Sequence, residues 1–156
     1  MSAGNFHTCA LFENGQMKCW GRGDQGRLGS GSGGEVGDGS GEMGDNLATV
    51  DLGSGRYAVQ ISAGRAHTCA VLDNGSLKCW GKDNDGRLGL GATNHVGAGA
   101  NEMGDNLATV ALGVGRTAVK VSAGWQHTCA ILDNATVKCW GEGFRGRLGY
   151  GNPNRI

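Results

Sequence analysis

The chain has 156 residues, of which 32 are glycine and one is proline, and only 6% are aromatic. Its 14 Lys and Arg residues balance its 14 Asp and Glu residues. A neutral chain lacks the basic surface with which proteins hold phosphate backbones, so we expect no nucleic-acid partner. No apolar run approaches the length of a membrane-spanning helix, so we expect no membrane span.

A period of sixty residues organises the chain. The tripeptide Ser-Ala-Gly occurs at residues 2–4, 62–64 and 122–124, and the residues that follow each copy align without a gap. Fixed periods of this length are typical of repeat architectures. The period predicts two full units, residues 2–61 and 62–121, and a partial third unit, residues 122–156.

Each unit is predicted to contain four short strands separated by turns. In the first unit, these are His7 to Phe12, Gln16 to Trp20, Asn46 to Leu52 and Tyr57 to Ser62. The Gly-rich stretches 30–45 and 90–105 read as loops that lie together on one face and contact each other. No segment has a sustained helical period. Four short strands per unit indicate an all-β fold and are typical of a propeller blade rather than of a sandwich.

Three motifs in each unit carry a family resemblance. In the first unit they are His-Thr-Cys-Ala-Leu at 7–11, Lys-Cys-Trp-Gly at 18–21 and Gly-Arg-Leu-Gly at 26–29. This pattern resembles the repeat of the RCC1 (regulator of chromosome condensation) family and covers nearly the whole chain. The resemblance implies a β-propeller, usually of seven blades, in which each repeat supplies one four-stranded blade. It does not specify a function, because the family includes an exchange factor, a photoreceptor and secreted inhibitors.

The spacing of the cysteines predicts disulfides within each hairpin. A three-residue loop with Gly15 in the left-handed conformation makes Phe12 and Gln16 the last pair of the hairpin. Counting back places Cys9 opposite Cys19 at a non-hydrogen-bonded position, where Cα atoms approach to about 4.5 Å and a disulfide can form. The same count pairs Cys69 with Cys79 and Cys129 with Cys139. Three such bonds indicate an oxidising environment.

A metal site is the alternative for the same residues. His7 lies on the same strand face as Cys9, so it could join Cys9 and Cys19 around a zinc ion. This set supplies only three ligands and lacks the Cys-x-x-Cys spacing typical of structural zinc. The Gly-rich acidic stretches at 38–42 and 83–86 suggest calcium as a second alternative, although neither has the spacing of an EF-hand loop. We expect no cofactor and no metal.

Several other residues recur at the sixty-residue period. We expect the repeated histidines to be buried and structural rather than catalytic, because repeats distribute like groups whereas active sites assemble unlike ones. The repeated tryptophans are predicted to pack between blades, and the repeated arginines to brace the loops. These residues are His7, His67, His127, Trp20, Trp80, Trp140, Arg27, Arg87 and Arg147. Asn74 and Asn134 begin N-glycosylation sequons at predicted hairpin tips.

These observations favour a non-enzymatic extracellular or cell-surface protein with a structural or interaction role. Two and a half blades cannot close a ring, so we expect either further blades of a longer chain or self-association of copies to cover the end faces. The expected partner is therefore a protein. One alternative is a propeller that regulates a protein partner, as an exchange factor or an enzyme inhibitor. Another alternative is a lectin-like ligand-binding module.

Overall fold

The computed structural model describes residues 1–151 and shows three antiparallel three-stranded sheets, one for each repeat. Residues 152–156 of the predicted third unit lie outside the described residues. The strands are β1 (Ser2–Ala3), β2 (His7–Leu11), β3 (Met17–Gly21), β4 (Ala58–Ala63), β5 (His67–Leu72), β6 (Leu77–Gly81), β7 (Ala118–Ala123), β8 (His127–Leu132) and β9 (Val137–Gly141). Single turns of 3-10 helix occur at Asp24–Gly26, Gly44–Asn46, Gly104–Asn106 and Phe144–Gly146.

The central hairpin of each sheet follows from its turn. Phe12 N–H donates to Gln16 O at 2.9 Å, and Gly15 N–H donates to Phe12 O at 2.9 Å. Gly15 has φ +79°, the left-handed conformation that glycine adopts without steric cost. The turn sets the register of β2 against β3 and places Cys9 opposite Cys19. The predicted hairpin register is confirmed.

The sheets are offset from the sequence units. Strand β4 runs across residues 61 and 62, where two sequence units meet, and it pairs with β5 of the second unit. Strand β7 pairs with β8 in the same way. The end of each unit therefore supplies the first strand of the following blade. The first strands β1, β4 and β7 contact one another in series, so the blades pack side by side.

The predicted fourth strand of each blade forms only in part. Residues 46–52 run alongside β3, but the backbone bond that they make to it is a single one, from Val50 N–H to Met17 O at 2.7 Å. Val110 N–H donates to Leu77 O at 2.8 Å in the second blade. The prediction of four full strands is wrong for the described residues. Beyond Val50, the carbonyl of Leu52 accepts a hydrogen bond from the Lys78 ammonium group of the next blade rather than from β3.

The hydrophobic core lies between blades. One buried cluster combines Cys9, Met17 and Leu28 of the first blade with Leu72 and Trp80 of the second. A second cluster joins the second and third blades in the same manner. Thin blades of this kind bury their apolar faces only against a neighbour, so each blade depends on the next for its stability.

The two Gly-rich loops contact each other, as predicted. Gly31 N–H donates to Gly97 O at 3.1 Å across the two loops. Each loop also has internal hydrogen bonds. The Glu42 carboxylate accepts them from the backbone N–H groups of Gly37 and Gly39 at 2.7 and 2.8 Å. Glu102 repeats this arrangement with Gly97 and Gly99. In residues 1–151, no helix has the length and apolar character needed to cross a membrane.

Candidate functional site

One disulfide joins the central hairpin of each blade. The bonds are Cys9–Cys19, Cys69–Cys79 and Cys129–Cys139, with Cα atoms 4.0 to 4.1 Å apart. The predicted pairing is confirmed. Since all six sulfur atoms are bonded, no thiolate is left for the alternative zinc site at His7. In the described part of the chain, no three His, Cys, Asp or Glu side chains converge in a way that could hold a metal ion.

The repeated histidines connect neighbouring blades. His7 Nε2 lies 2.8 Å from Thr68 Oγ1, and His67 Nε2 lies 2.9 Å from Thr128 Oγ1. Each threonine hydroxyl donates its proton to an arginine carbonyl, Thr68 to Arg27 O at 2.8 Å. The hydroxyl can then only accept from the imidazole, so the proton of each ring resides on Nε2. The threonines had no predicted role, because their partners lie in another repeat.

Burial keeps these histidines neutral. Desolvation, and secondly the charge of Arg27, lower the pKa of His7 to about 4. Desolvation, and secondly the charge of Arg87, lower the pKa of His67 to about 3. The Nδ1 atom of each ring is buried without a hydrogen-bond partner among the described residues. A general base needs an accessible reacting group and a pKa near the working pH, so neither ring has the properties of one.

The repeated tryptophans occupy the boundary with the preceding blade. Trp80 is fully buried and belongs to the cluster that contains Leu28 and Val50 of the first blade. Trp140 donates from Nε1 to Arg87 O at 3.0 Å, across the boundary between the second and third blades. Trp20, which has no preceding blade among the described residues, is only partly buried. A tryptophan at this position is therefore buried by the preceding repeat.

A buried lysine ties the loops of adjacent units together. Lys78 Nζ donates to Leu52 O of the first unit at 3.0 Å and to Gly104 O of the second at 2.7 Å. Beside it, Ser54 N–H donates to Asp105 Oδ1 at 2.8 Å. The motif Lys-Cys-Trp marks this lysine in the sequence, but periodicity alone does not reveal that it bridges two units.

A cavity of about 580 Å³ lies between the two Gly-rich loops. Its lining combines apolar side chains such as Leu28, Leu47 and Met103 with polar ones such as Glu42 and Asn106. Asn101 adopts φ +64°, a conformation that is uncommon outside glycine. The cavity is therefore of mixed polarity, and its walls belong to two repeats.

A small cleft with an excess of positive charge lies on the surface, mainly between the first and second blades and bordered by Gln126 of the third. We call it the basic cleft. Its volume is about 170 Å³. It is lined by Phe6, Arg22, Asp24, Gln25, Arg27, Arg65, Ala66, Lys82, Arg87 and Gln126. Five of these side chains are cationic and one is a carboxylate, although the chain as a whole is neutral.

The sequon asparagines lie at exposed hairpin tips. Asn74 Oδ1 accepts a bond from Ser76 Oγ at 2.7 Å, and Asn134 Oδ1 accepts one from Thr136 Oγ1 at 2.7 Å. Both asparagines are exposed to solvent. The amide oxygens are thus held by the hydroxyl of each sequon, and the tips are accessible on the folded chain.

Comparison with known proteins relates the chain to longer ones. It is 31% identical over 148 residues to the human E3 ubiquitin-protein ligase HERC2, a match that covers 95% of this chain and 3% of HERC2. The chain therefore spans only a small part of that relative.

Solved structures share its fold. The structure of Kap60 bound to yeast RCC1 (Prp20) matches with a TM-score of 0.69 and 21% identity, over 99% of this chain and 36% of that one. The entire ectodomain of the Physcomitrella patens receptor kinase CR4 matches with a TM-score of 0.51 and 20% identity, over 92% of this chain and 29% of that one. At this level of identity, the matches concern the fold alone.

The repeat profile described as "Regulator of chromosome condensation (RCC1) repeat" matches residues 1–27, 58–87 and 118–147. These three segments cover more than half of the chain and contain the nine strands, the disulfides and the histidine–threonine pairs that connect blades. The chain belongs to the RCC1 repeat family.

Proposed function

We propose that the chain is a disulfide-stapled, non-enzymatic protein-interaction module of an extracellular or cell-surface protein. The observation that carries the proposal is the presence of one disulfide at the same position of every blade. Structural disulfides persist in oxidising compartments and are rare where glutathione keeps thiols reduced. The exposed sequons at Asn74 and Asn134 are consistent with the same compartment.

The shared fold also supports an interaction role. The CR4 structure is that of a receptor ectodomain, so blades of this fold occur outside the cell. The yeast RCC1 structure was solved with a protein, Kap60, bound to it. The repeated polar residues of this chain are used to connect its own blades, which leaves the loops and clefts between repeats as the surfaces available to a partner.

A regulatory role is the second candidate. The family relationship favours it, because HERC2 is a ligase that carries these repeats within a much longer chain. In that role the module would present its surfaces to a protein whose activity it changes. The disulfides favour the extracellular role over a cytosolic regulatory one.

The test combines the redox state of the chain with its location. The chain is labelled on intact source cells with a membrane-impermeant biotin reagent, and its free thiols are alkylated before and after reduction. We expect labelling on intact cells, six alkylated cysteines only after reduction, and glycan mass on Asn74 or Asn134. Labelling that appears only after lysis, with all six thiols free beforehand, would overturn the proposal.

A further inference from the structure

The charges of the basic cleft are only partly balanced within the chain. Asp24 is shared by two arginines, with distances of 2.9 Å to Arg22 Nε and 2.7 Å to Arg27 NH2. At the other end of the cleft, Arg87 is paired with Asp85. These two carboxylates leave the floor of the cleft with one more positive than negative charge.

Two further cations have no carboxylate partner among the described residues. Arg65 places its guanidinium 4.3 Å from the ring centre of Trp125, an aromatic contact that does not neutralise its charge. Lys82, which is partly exposed at the rim, makes no ion pair there. Asp83, a buried carboxylate that also interacts with Arg87, offsets part of this charge. With Arg65 and Lys82, the cleft still carries a net positive charge of about two within a cavity of about 170 Å³.

Burial fixes two of the positive charges at the base of the cleft. The side chains of Arg27 and Arg87 are 4% and 2% exposed, so their guanidinium groups are held at its base rather than free in solvent. Arg87 Nε is buried and has no acceptor among residues 1–151. Burial, together with the neighbouring charges of Arg22 and Arg65, lowers the pKa of Arg27 despite its pairing with Asp24. An incoming anion would relieve this repulsion.

Aromatic side chains flank the charges. Phe6 and Trp125 are each 54% exposed, and Arg22 and Arg65 lie over their rings at 5.6 and 4.3 Å. Arginine, tryptophan and phenylalanine together make up the composition typical of binding surfaces for proteins. The cleft does not continue around the array, since Glu142 in the third unit occupies the position of Arg22 and Lys82. It is therefore a single local site.

We propose that the basic cleft binds an acidic side chain from a peptide segment of a partner protein, with apolar neighbours of that residue resting on Phe6 and Trp125. The inference rests on the proposed function in one respect, that the partner is a protein. The size of the cleft suits one carboxylate rather than a polyanion, and the neutral chain around it offers no extended basic track for nucleic acid. Two N–H donors from one guanidinium can bind a carboxylate in a bidentate manner.

The test measures binding of a fluorescein-labelled peptide with one glutamate between two leucines to the oxidised chain by fluorescence anisotropy, with the same peptide carrying glutamine in place of the glutamate in parallel. We expect only the glutamate peptide to bind, more weakly as salt rises. The double variant Arg65→Ala/Lys82→Ala should weaken binding roughly fivefold or more, as expected for the loss of two charge contacts. The control Arg116→Ala/Lys120→Ala removes the same charge from exposed positions of the third blade and should change affinity less than about twofold.

A local readout separates the cleft from general charge attraction. In proton–nitrogen NMR spectra, the peptide should shift the indole signal of Trp125 and leave the buried Trp80 and Trp140 signals in place. Equal weakening in both double variants, equal binding of the two peptides, or displacement by millimolar inorganic phosphate as effective as by the peptide would overturn the proposal. Tight binding of a short DNA duplex in the absence of peptide binding would also overturn it.

The result of the peptide-binding experiment can be distinguished from the result of the experiment that tests the proposed function. If the chain is found on the cell surface with its disulfides intact but the peptide does not bind, the cleft inference fails and the proposed function stands. If the chain is found only inside cells with free thiols while the peptide still binds through Arg65 and Lys82, the proposed function fails and the cleft inference stands.

Discussion

His67 donates a hydrogen bond from Nε2 to Thr128 Oγ1 at 2.9 Å, across the boundary between the second and third blades. The Thr128 hydroxyl in turn donates a hydrogen bond to Arg87 O at 2.7 Å. His67, Thr128 and Arg87 are all buried. Their two hydrogen bonds therefore form a polar connection inside the apolar boundary between the blades. A buried donor that loses its acceptor keeps the full cost of its desolvation, so stability is sensitive to the loss of either hydrogen bond.

Replacement of Thr128 by valine should destabilise the chain by about 1–3 kcal/mol, because it leaves a buried imidazole N–H without an acceptor. Arg87 O keeps its second donor, Trp140 Nε1, so the loss falls on His67. Thr8 provides a matched control, because it occupies the same position in the first blade and has no side-chain hydrogen bond among the described residues. Thr8→Val should change stability by less than about 0.5 kcal/mol in urea unfolding. Equal effects of the two variants would contradict the assignment.

The buried histidines should make the stability depend on pH. The pKa values of His7 and His67 are about 4 and about 3 in the folded chain, against 6.5 for an exposed histidine. Near pH 5, these two residues therefore bind about two more protons in the unfolded chain than in the folded chain, and stability falls as the pH is lowered from 6.5 towards 4. The expected loss at pH 5 is about 2 kcal/mol for each histidine.

Urea unfolding at a series of pH values measures this slope. His67→Gln should reduce the slope between pH 5 and 6 by about a third to a half, because it removes one of the protons that His7, His67 and His127 take up on unfolding. Burial lowers the pKa of His127 as well. Glutamine retains an N–H donor for Thr128. An unchanged slope in His67→Gln would show that acid destabilisation arises from other groups.

The buried Lys78 should contribute more to stability than the partly exposed Lys18, although both occupy the same position of the repeat. Lys78→Met removes the donor from two carbonyl groups that belong to different units and should cost about 2–3 kcal/mol. Lys18 donates only to Gly44 O, at an exposed site, and Lys18→Met should cost less than about 0.5 kcal/mol. Differential scanning calorimetry of both variants makes the comparison, which fails if their effects are similar.

Ala135 should be a site of stabilisation. It adopts φ +62° at the hairpin position where the other two units have Gly15 and Gly75. A left-handed alanine costs about 1–2 kcal/mol, and glycine removes that cost at a smaller loss of chain entropy. Ala135→Gly is therefore expected to stabilise the chain by about 0.5–1 kcal/mol.

The reverse change supplies the control for this turn. A Cβ atom at Gly75 would lie 2.6 Å from Thr117 Cβ, so Gly75→Ala should destabilise the second hairpin through both strain and steric overlap. Thermal unfolding of the two variants should move the melting temperature in opposite directions. A fall in the melting temperature for Ala135→Gly would contradict the backbone argument.

The features that could be predicted from the sequence are those set by local geometry. The hairpin around Gly15 determines the pairing of Cys9 with Cys19, because turn length and strand alternation leave one register. The interaction of His7 with Thr68 could not be predicted in the same way, because its two ends lie in different repeats and depend on how blades pack. The fourth strand was predicted from composition alone, whereas its pairing depends on whether backbone groups such as Leu52 O are used elsewhere.

The basic cleft could not be predicted either, because a search for repeated residues overlooks positions that vary between units. Comparison of repeats identifies the residues that the units share, such as Arg27 and Arg87 at the base of the cleft, but the residues at its rim differ between units. Asn5, Arg65 and Trp125 occupy one position of the repeat, and only the second unit places a cation there. In a repeat protein, constant positions hold the blades together, whereas variable positions distinguish one stretch of surface from another.

The offset between sequence units and sheets has a consequence for how such a chain gains or loses repeats. The junction at residues 61 and 62 lies inside β4, so a duplication or deletion of one whole unit rejoins two halves of the same strand. The rejoined strand keeps the hydrogen-bond register that it had before, and the loops of each unit stay unchanged. Recombination can thus change the number of blades and leave every blade a complete sheet.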